Sequence, residues 1–221
     1  GHLTEINGAP HGTLGLMYEG SNPETVLAVS EMFNRSEGYY YNCFLRVVGD
    51  MTFPAGKGLN LAPNTYLVVL NNGNNFKGSL TVEGSIFNQG YIRLFGADMT
   101  VTESGWITNK GAIETGMMLT EKPTVTVGGL LENASTGIVD MTAADFVLEE
   151  NGVMQNNLAG ENLGTVNGIP VSQQTLFSEI TDDQAQLQKL IDKVRNDGYH
   201  AGYFWISSDL HITSTVIIPG N

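Results

Sequence analysis

Between Leu80 and Asn157 apolar and polar residues alternate in short bursts. The triplets Leu80-Thr-Val82, Met99-Thr-Val101, Val125-Thr-Val127 and Phe146-Val-Leu148 begin 19, 26 and 21 residues apart. Alternation of this kind is the period of a strand with one buried face. After each triplet comes a second phrase, Gly-x-aliphatic-x-Asn. It reads Gly84-Ser-Ile-Phe-Asn88, Gly105-Trp-Ile-Thr-Asn109, Gly129-Leu-Leu-Glu-Asn133 and Gly152-Val-Met-Gln-Asn156. The asparagines lie 21, 24 and 23 residues apart. That period is too short for an independently folded unit and fits one coil of a solenoid. A coil of about 22 residues holds three strands, at about 3.3 Å per residue, and three corners. Stacked coils form parallel sheets around one aliphatic core. Glycine is expected to supply positive φ at the corners. Asn88, Asn109, Asn133 and Asn156 are expected to form a structural column, bonded amide to amide along the stack.

The flanking stretches follow other rules. Asn22-Pro23-Glu24 predicts a helix from 23 to about 36, with Asn22 as N-cap, Pro23 at the first helical position and Gly38 just past the end. A second helix is predicted over 182–197, capped by Asp182 or Thr181, with Leu187, Leu190, Ile191 and Val194 as its stripe. Aromatic strands follow, Tyr39–Val48 and Tyr199–Ser207. Residues 6–48 align with 166–208 without a gap, with ten identities in 43 positions. Asn7-Gly8 matches Asn167-Gly168, Leu16 matches Leu176, Glu19 matches Glu179, and Gly38-Tyr39 matches Gly198-Tyr199. The chain therefore divides into a linker with short strands (1–21), a capped coil module (22–163), and a linker with the helix-strand opening of a second module (164–221). The offset of 160 implies neighbouring copies of the module in a longer chain.

These residues carry a resemblance. Asp182-Asp183-Gln-Ala-Gln-Leu187-Gln-Lys-Leu190-Ile191-Asp192, then Gly198, then Val216-Ile-Ile-Pro219-Gly220, resembles the opening of pectate-lyase-like right-handed β-helix proteins. Residues 22–56 are a weaker copy. The coils are similar to those of bacterial surface adhesin-like and autotransporter-like β-helices. The resemblance implies an all-β, right-handed, single-stranded parallel β-helix with an N-terminal capping helix, and an extracellular or cell-surface location. It does not choose an activity, because lyases, glycosidases, tailspikes and adhesins share the fold.

Composition narrows the partners. The formal net charge is −13, with only 15% of residues charged. An acidic chain lacks the clustered Lys and Arg that nucleic acid and anionic membranes require. No run of 18 apolar residues predicts membrane insertion. The acidic coat attracts Ca²⁺ without a motif to hold it, and no His pair has metal-ligand spacing, so neither cofactor nor metal is expected. The lone Cys43 is expected to be buried and inert. The acids Asp98, Glu103, Glu114, Asp140, Asp145, Glu149 and Glu150 are scattered and form no catalytic phrase. Asp98, Asp140 and Asp145 are the three that flank a shallow site, if one exists. Aromatics are the better lead. Trp106, Tyr91 and Tyr40 are the candidate sugar-stacking residues, whereas Trp205 aligns with Leu45 and reads as core.

The leading reading is a non-catalytic repeat module of a secreted or cell-surface bacterial protein, a scaffold for adhesion or for contact with a glycan or a host or cell-wall surface. The alternatives are a polysaccharide lyase or glycoside hydrolase with its site on one coil face, and a phage or appendage fibre, for which trimerisation in solution would be the telling result. All of them require a β-rich chain. Far-UV circular dichroism is expected to show a dominant β signal, and a helix-dominated spectrum would sink the fold.

Overall fold

The computed structural model describes residues 15–71, 78–134, 136–156, 164–170, 175–180 and 184–218. The first unit is a strand, a helix and a strand: β1 (Gly15–Gly20), α1 (Pro23–Asn34) and β2 (Asn42–Val47). Asn22 caps α1 as the sequence predicts, its Oδ1 accepting from the Thr25 N–H at 3.1 Å. Gly38 follows with φ +86°. The Asp182 and Thr181 caps of the second helix lie outside the described residues.

The described strands then make five coils of three. They are β3 (Asp50–Phe53), β4 (Gly58–Leu61), β5 (Thr65–Leu70); β6 (Ser79–Val82), β7 (Ser85–Asn88), β8 (Tyr91–Phe95); β9 (Asp98–Val101), β10 (Trp106–Asn109), β11 (Ala112–Gly116); β12 (Thr124–Val127), β13 (Leu130–Asn133), β14 (Ile138–Asp140); and β15 (Asp145–Leu148), β16 (Val153–Asn156), β17 (Thr165–Val166). Each strand pairs in parallel with its counterpart in the next coil. A short sheet runs β3-β6-β9-β12-β15, a ladder sheet begins β4-β7-β10-β13-β16, and a long sheet runs β1-β2-β5-β8-β11-β14-β17 and ends with β18 (Ile169–Pro170). This stacking is consistent with a parallel β-helix. The four apolar triplets are in register in the short sheet, as their spacing predicts. Thr165–Val166, read from sequence as linker, is instead the last long-sheet strand of the fifth coil, with Val166 buried in the core.

The asparagine column forms. Asn88, Asn109, Asn133 and Asn156 are fully buried and in register. Each Nδ2 donates to the next Oδ1, at 2.7, 2.8 and 2.9 Å. The first three also donate across the corner to a long-sheet carbonyl of the next coil: Ala112 at 3.0 Å, Ile138 at 3.0 Å and Thr165 at 3.1 Å. In the first coil Leu61 occupies this column.

The glycines of the asparagine phrase serve a different purpose from the one expected. Gly84, Gly105, Gly129 and Gly152 are not in the left-handed region. They are required because the preceding coil passes too close. A Cβ on Gly105 would collide with the Val82 carbonyl oxygen, and one on Gly152 with that of Val127. Left-handed glycines do turn other corners, Gly56 between β3 and β4 and Gly96 between β8 and β9.

The unit after the coils repeats the first: β19 (Thr175–Ile180), α2 (Gln184–Asn196) and β20 (Ala201–Ile206), with β19 and β20 parallel. One detail departs from the gapless alignment. Leu16 pairs with Cys43, but Leu176 pairs with Gly202 rather than Tyr203. The second strand has slipped by one residue, which exchanges its faces. Phe204 turns to the Leu176–Ile180–Leu190 cluster under α2, and Trp205 turns to the coil core. Trp205 is thus packed, as read from sequence, but at the place of Arg46 and not of Leu45.

Substituting within the column tests what it contributes. Asn109→Leu keeps the branched shape but strands the Asn88 N–H and the Asn133 Oδ1, and is expected to cost about 3 kcal/mol. Thr126→Val, on the outer face of β12, should change stability by less than about 0.5 kcal/mol. Urea denaturation measures both, and equal midpoints would show that the ladder does not stabilise the stack.

Candidate functional site

The three candidate aromatics fall in three places. Trp106 opens β10 on the outer face of the ladder sheet, between Ser85 and Leu130, and is 49% exposed. It borders a shallow groove with Gly58, Asn60, Ser85, Phe87 and Thr108. The lining is uncharged, with the Phe87 ring beside the Ser85 and Thr108 hydroxyls and the Asn60 amide, and one acid and one base stand near it. Thr108 donates to Glu132 Oε2 at 3.2 Å, and Lys110 Nζ stands 5.2 Å from the Phe87 ring centre.

Tyr91 lies on the long sheet. It stacks on Tyr66 at 4.7 Å, and Tyr66 stacks on Phe44 at 4.8 Å. The Arg93 guanidinium covers Tyr66 and Tyr91 at 5.3 and 5.0 Å and donates to Glu114 Oε2 at 2.7 Å. Sequence reasoning does not pair Phe44 and Tyr66 with Tyr91, although their spacing matches the coil period and could have done so. Tyr40 sits between α1 and β2, half buried against the core. The structure does not bring Trp106, Tyr91 and Tyr40 together.

The acids are also dispersed. Asp98 Oδ1 accepts from the Thr124 N–H at 2.7 Å. Asp145 pairs with Lys122. Asp140 stands on the long sheet and accepts from the N–H and Oγ1 of Thr142 at 3.0 and 2.6 Å. Glu103 accepts from Asn151 at 3.1 Å, and Glu150 pairs with Lys189 at 3.2 Å. Asp98 and Asp145 open strands of the short sheet and Asp140 ends a long-sheet strand, and each carboxylate is engaged by a different partner. Among the described residues no three of His, Cys, Asp and Glu gather as metal ligands, and no helix is long and apolar enough to cross a membrane.

One buried acid lies outside the set that the sequence suggests. Glu179, on β19, is 2% exposed, and its Oε2 accepts from the Phe146 N–H at 2.8 Å. Phe146 belongs to β15, the outermost strand of the short sheet. The carboxylate takes an N–H that a further coil would otherwise take.

No family model matches the chain, and no curated protein or solved structure matches it.

Cys43 is fully buried on β2, and burial pushes its thiol up to about 11. The folded state therefore holds a proton that the unfolded chain releases from about pH 8.5. Stability supplied by this group is present below that pH and is lost as pH rises toward about 11. Native protein at pH 8 should not react with a disulfide reagent until urea unfolds it. Prompt reaction in the native state would contradict this burial.

Proposed function

We propose that the chain is a non-catalytic repeat module of a secreted or cell-surface bacterial protein, a stiff scaffold for adhesion or carbohydrate contact. In this reading it is a right-handed, single-stranded parallel β-helix of the pectate-lyase-like superfamily, closest to adhesin-like repeats. Helix α1 is the N-terminal cap, and β19–α2–β20 is the opening of the next copy. Contacts at the first coil support the cap. Val26 and Phe33 of α1 join the coil core, and Ser30 Oγ and Asn34 Nδ2 donate to the Asn60 carbonyl on β4, at 2.7 and 3.1 Å. They occupy hydrogen-bonding positions that a further coil would fill.

The observation that carries the functional reading is Trp106. Its indole is half exposed on a rigid strand, beside a shallow groove where the Phe87 ring lies among hydroxyl and amide groups. An aromatic face packs on the C–H face of a pyranose while neighbouring hydroxyls and amides meet its edges. Arg93 is engaged with Glu114, Lys122 with Asp145, and Asp98 with a backbone N–H, which favours contact over acid–base chemistry.

A glycan array is expected to show binding that Trp106→Ala weakens at least tenfold, or about 1.4 kcal/mol, without changing the melting temperature. Unchanged binding in the variant would refute the role of Trp106. Release of reducing ends from a polysaccharide would replace the scaffold with an enzyme.

A further inference from the structure

The two strand-helix-strand units of this chain present the same face to different surroundings. In the second unit, β19 and β20 pair Phe177 with Tyr203 and Glu179 with Trp205. That face lies on the end of the coils. Phe177 is fully buried, the Phe146 and Trp205 rings are 5.8 Å apart, and Glu179 accepts from the Phe146 N–H. Strand β19 also continues the ladder sheet, antiparallel to β16 through Gln155 and Asn156. In the first unit, β1 and β2 pair Met17 with Phe44 and Glu19 with Arg46. Met17 is 72% exposed, Phe44 is 38% exposed, and Glu19 and Arg46 pair with each other at 3.0 Å in solvent. Their other sides are alike. Leu16 and Tyr18 pack on the coil core beside α1, and Leu176 and Ile180 pack under α2.

We infer that the exposed Met17–Glu19–Phe44–Arg46 face is a docking surface for the β15–β16 coil end of another copy of this module. The contact made within this chain by β19 and β20 is then repeated between modules by β1 and β2. Met17 takes the place of Phe177, Phe44 that of Tyr203 and Arg46 that of Trp205. Glu19 takes the place of Glu179 and receives the N–H of the residue equivalent to Phe146. The face is suited to this. Beyond Phe44 it continues into an apolar groove lined by Val68, Leu70, Phe95 and Met117. An apolar surface of this kind beside an acid fits a strand end that offers both side chains and unpaired N–H groups. Because the two surfaces differ, the contact is head-to-tail and builds an open linear array.

The inference rests on the repeat-module reading but not on sugar binding, since Trp106 is on another sheet. A two-module chain tests it: residues 1–174 joined to residues 15–221, which preserves the repeat spacing. Met17→Cys is placed in the first or the second copy and alkylated under native conditions. Cys43 is buried and does not compete. The thiol in the first copy should react at the rate of a free thiol, and that in the second copy at least tenfold more slowly. Met17→Asp should lower the unfolding midpoint only in the second copy. Equal labelling, equal tolerance of Met17→Asp in both copies, or loss of the β spectrum in the two-module chain would overturn the docking surface. Absence of glycan binding would overturn the sugar-contact reading while leaving this labelling pattern intact.

Discussion

A primary amide buried in an aliphatic core costs several kcal/mol unless both its N–H groups and its oxygen are bonded. That constraint orders this molecule. Asn88, Asn109 and Asn133 meet it only if each coil lies in register with the next, because the partners are the next asparagine and a carbonyl of the next coil. A slip of one residue would turn the column outward and place Phe87, Thr108, Glu132 and Gln155 in the core. The glycines at 84, 105, 129 and 152 serve the same register. They let successive corners approach to a separation that a side chain would prevent.

The same requirement accounts for both ends. The column stops at Leu61, where no amide lies above to be matched. There, Ser30 and Asn34 of α1 bond the carbonyl that the first coil leaves free. At the far end Glu179 takes an N–H of the last coil. One end is met by donors and the other by an acceptor, each matching the backbone group left over at that point. Those side chains engage one carbonyl at the edge of β4 and one N–H at the edge of β15.

The coils were legible because strand alternation and the Gly-x-aliphatic-x-Asn phrase repeat at one period. The column was also legible, since asparagines that recur once per coil, two residues after an inward aliphatic position, must themselves point inward and meet one another. The role of the corner glycines was not. Positive φ and close approach select the same residue, and only the distance to the Val82 or Val127 carbonyl separates them. The slip in β20 was hidden because a gapless alignment assumes equal pairing in both units, and pairing is decided by Phe204 and Trp205 choosing opposite faces. Tyr91 was found without Tyr66 and Phe44, because a stack across coils joins residues far apart in sequence. Exposure of Trp106 followed from its outward place in the alternation, whereas its separation from Tyr91 and Tyr40 depended on sheet assignment.

Hydrogen exchange of the asparagine side-chain amides, followed by nuclear magnetic resonance, tests the ladder most directly. The Nδ2 protons of Asn88, Asn109 and Asn133 should exchange as slowly as the backbone amides of β7, β10 and β13, opening only with the stack. Exchange at the rate of an exposed asparagine such as Asn196 would contradict the account.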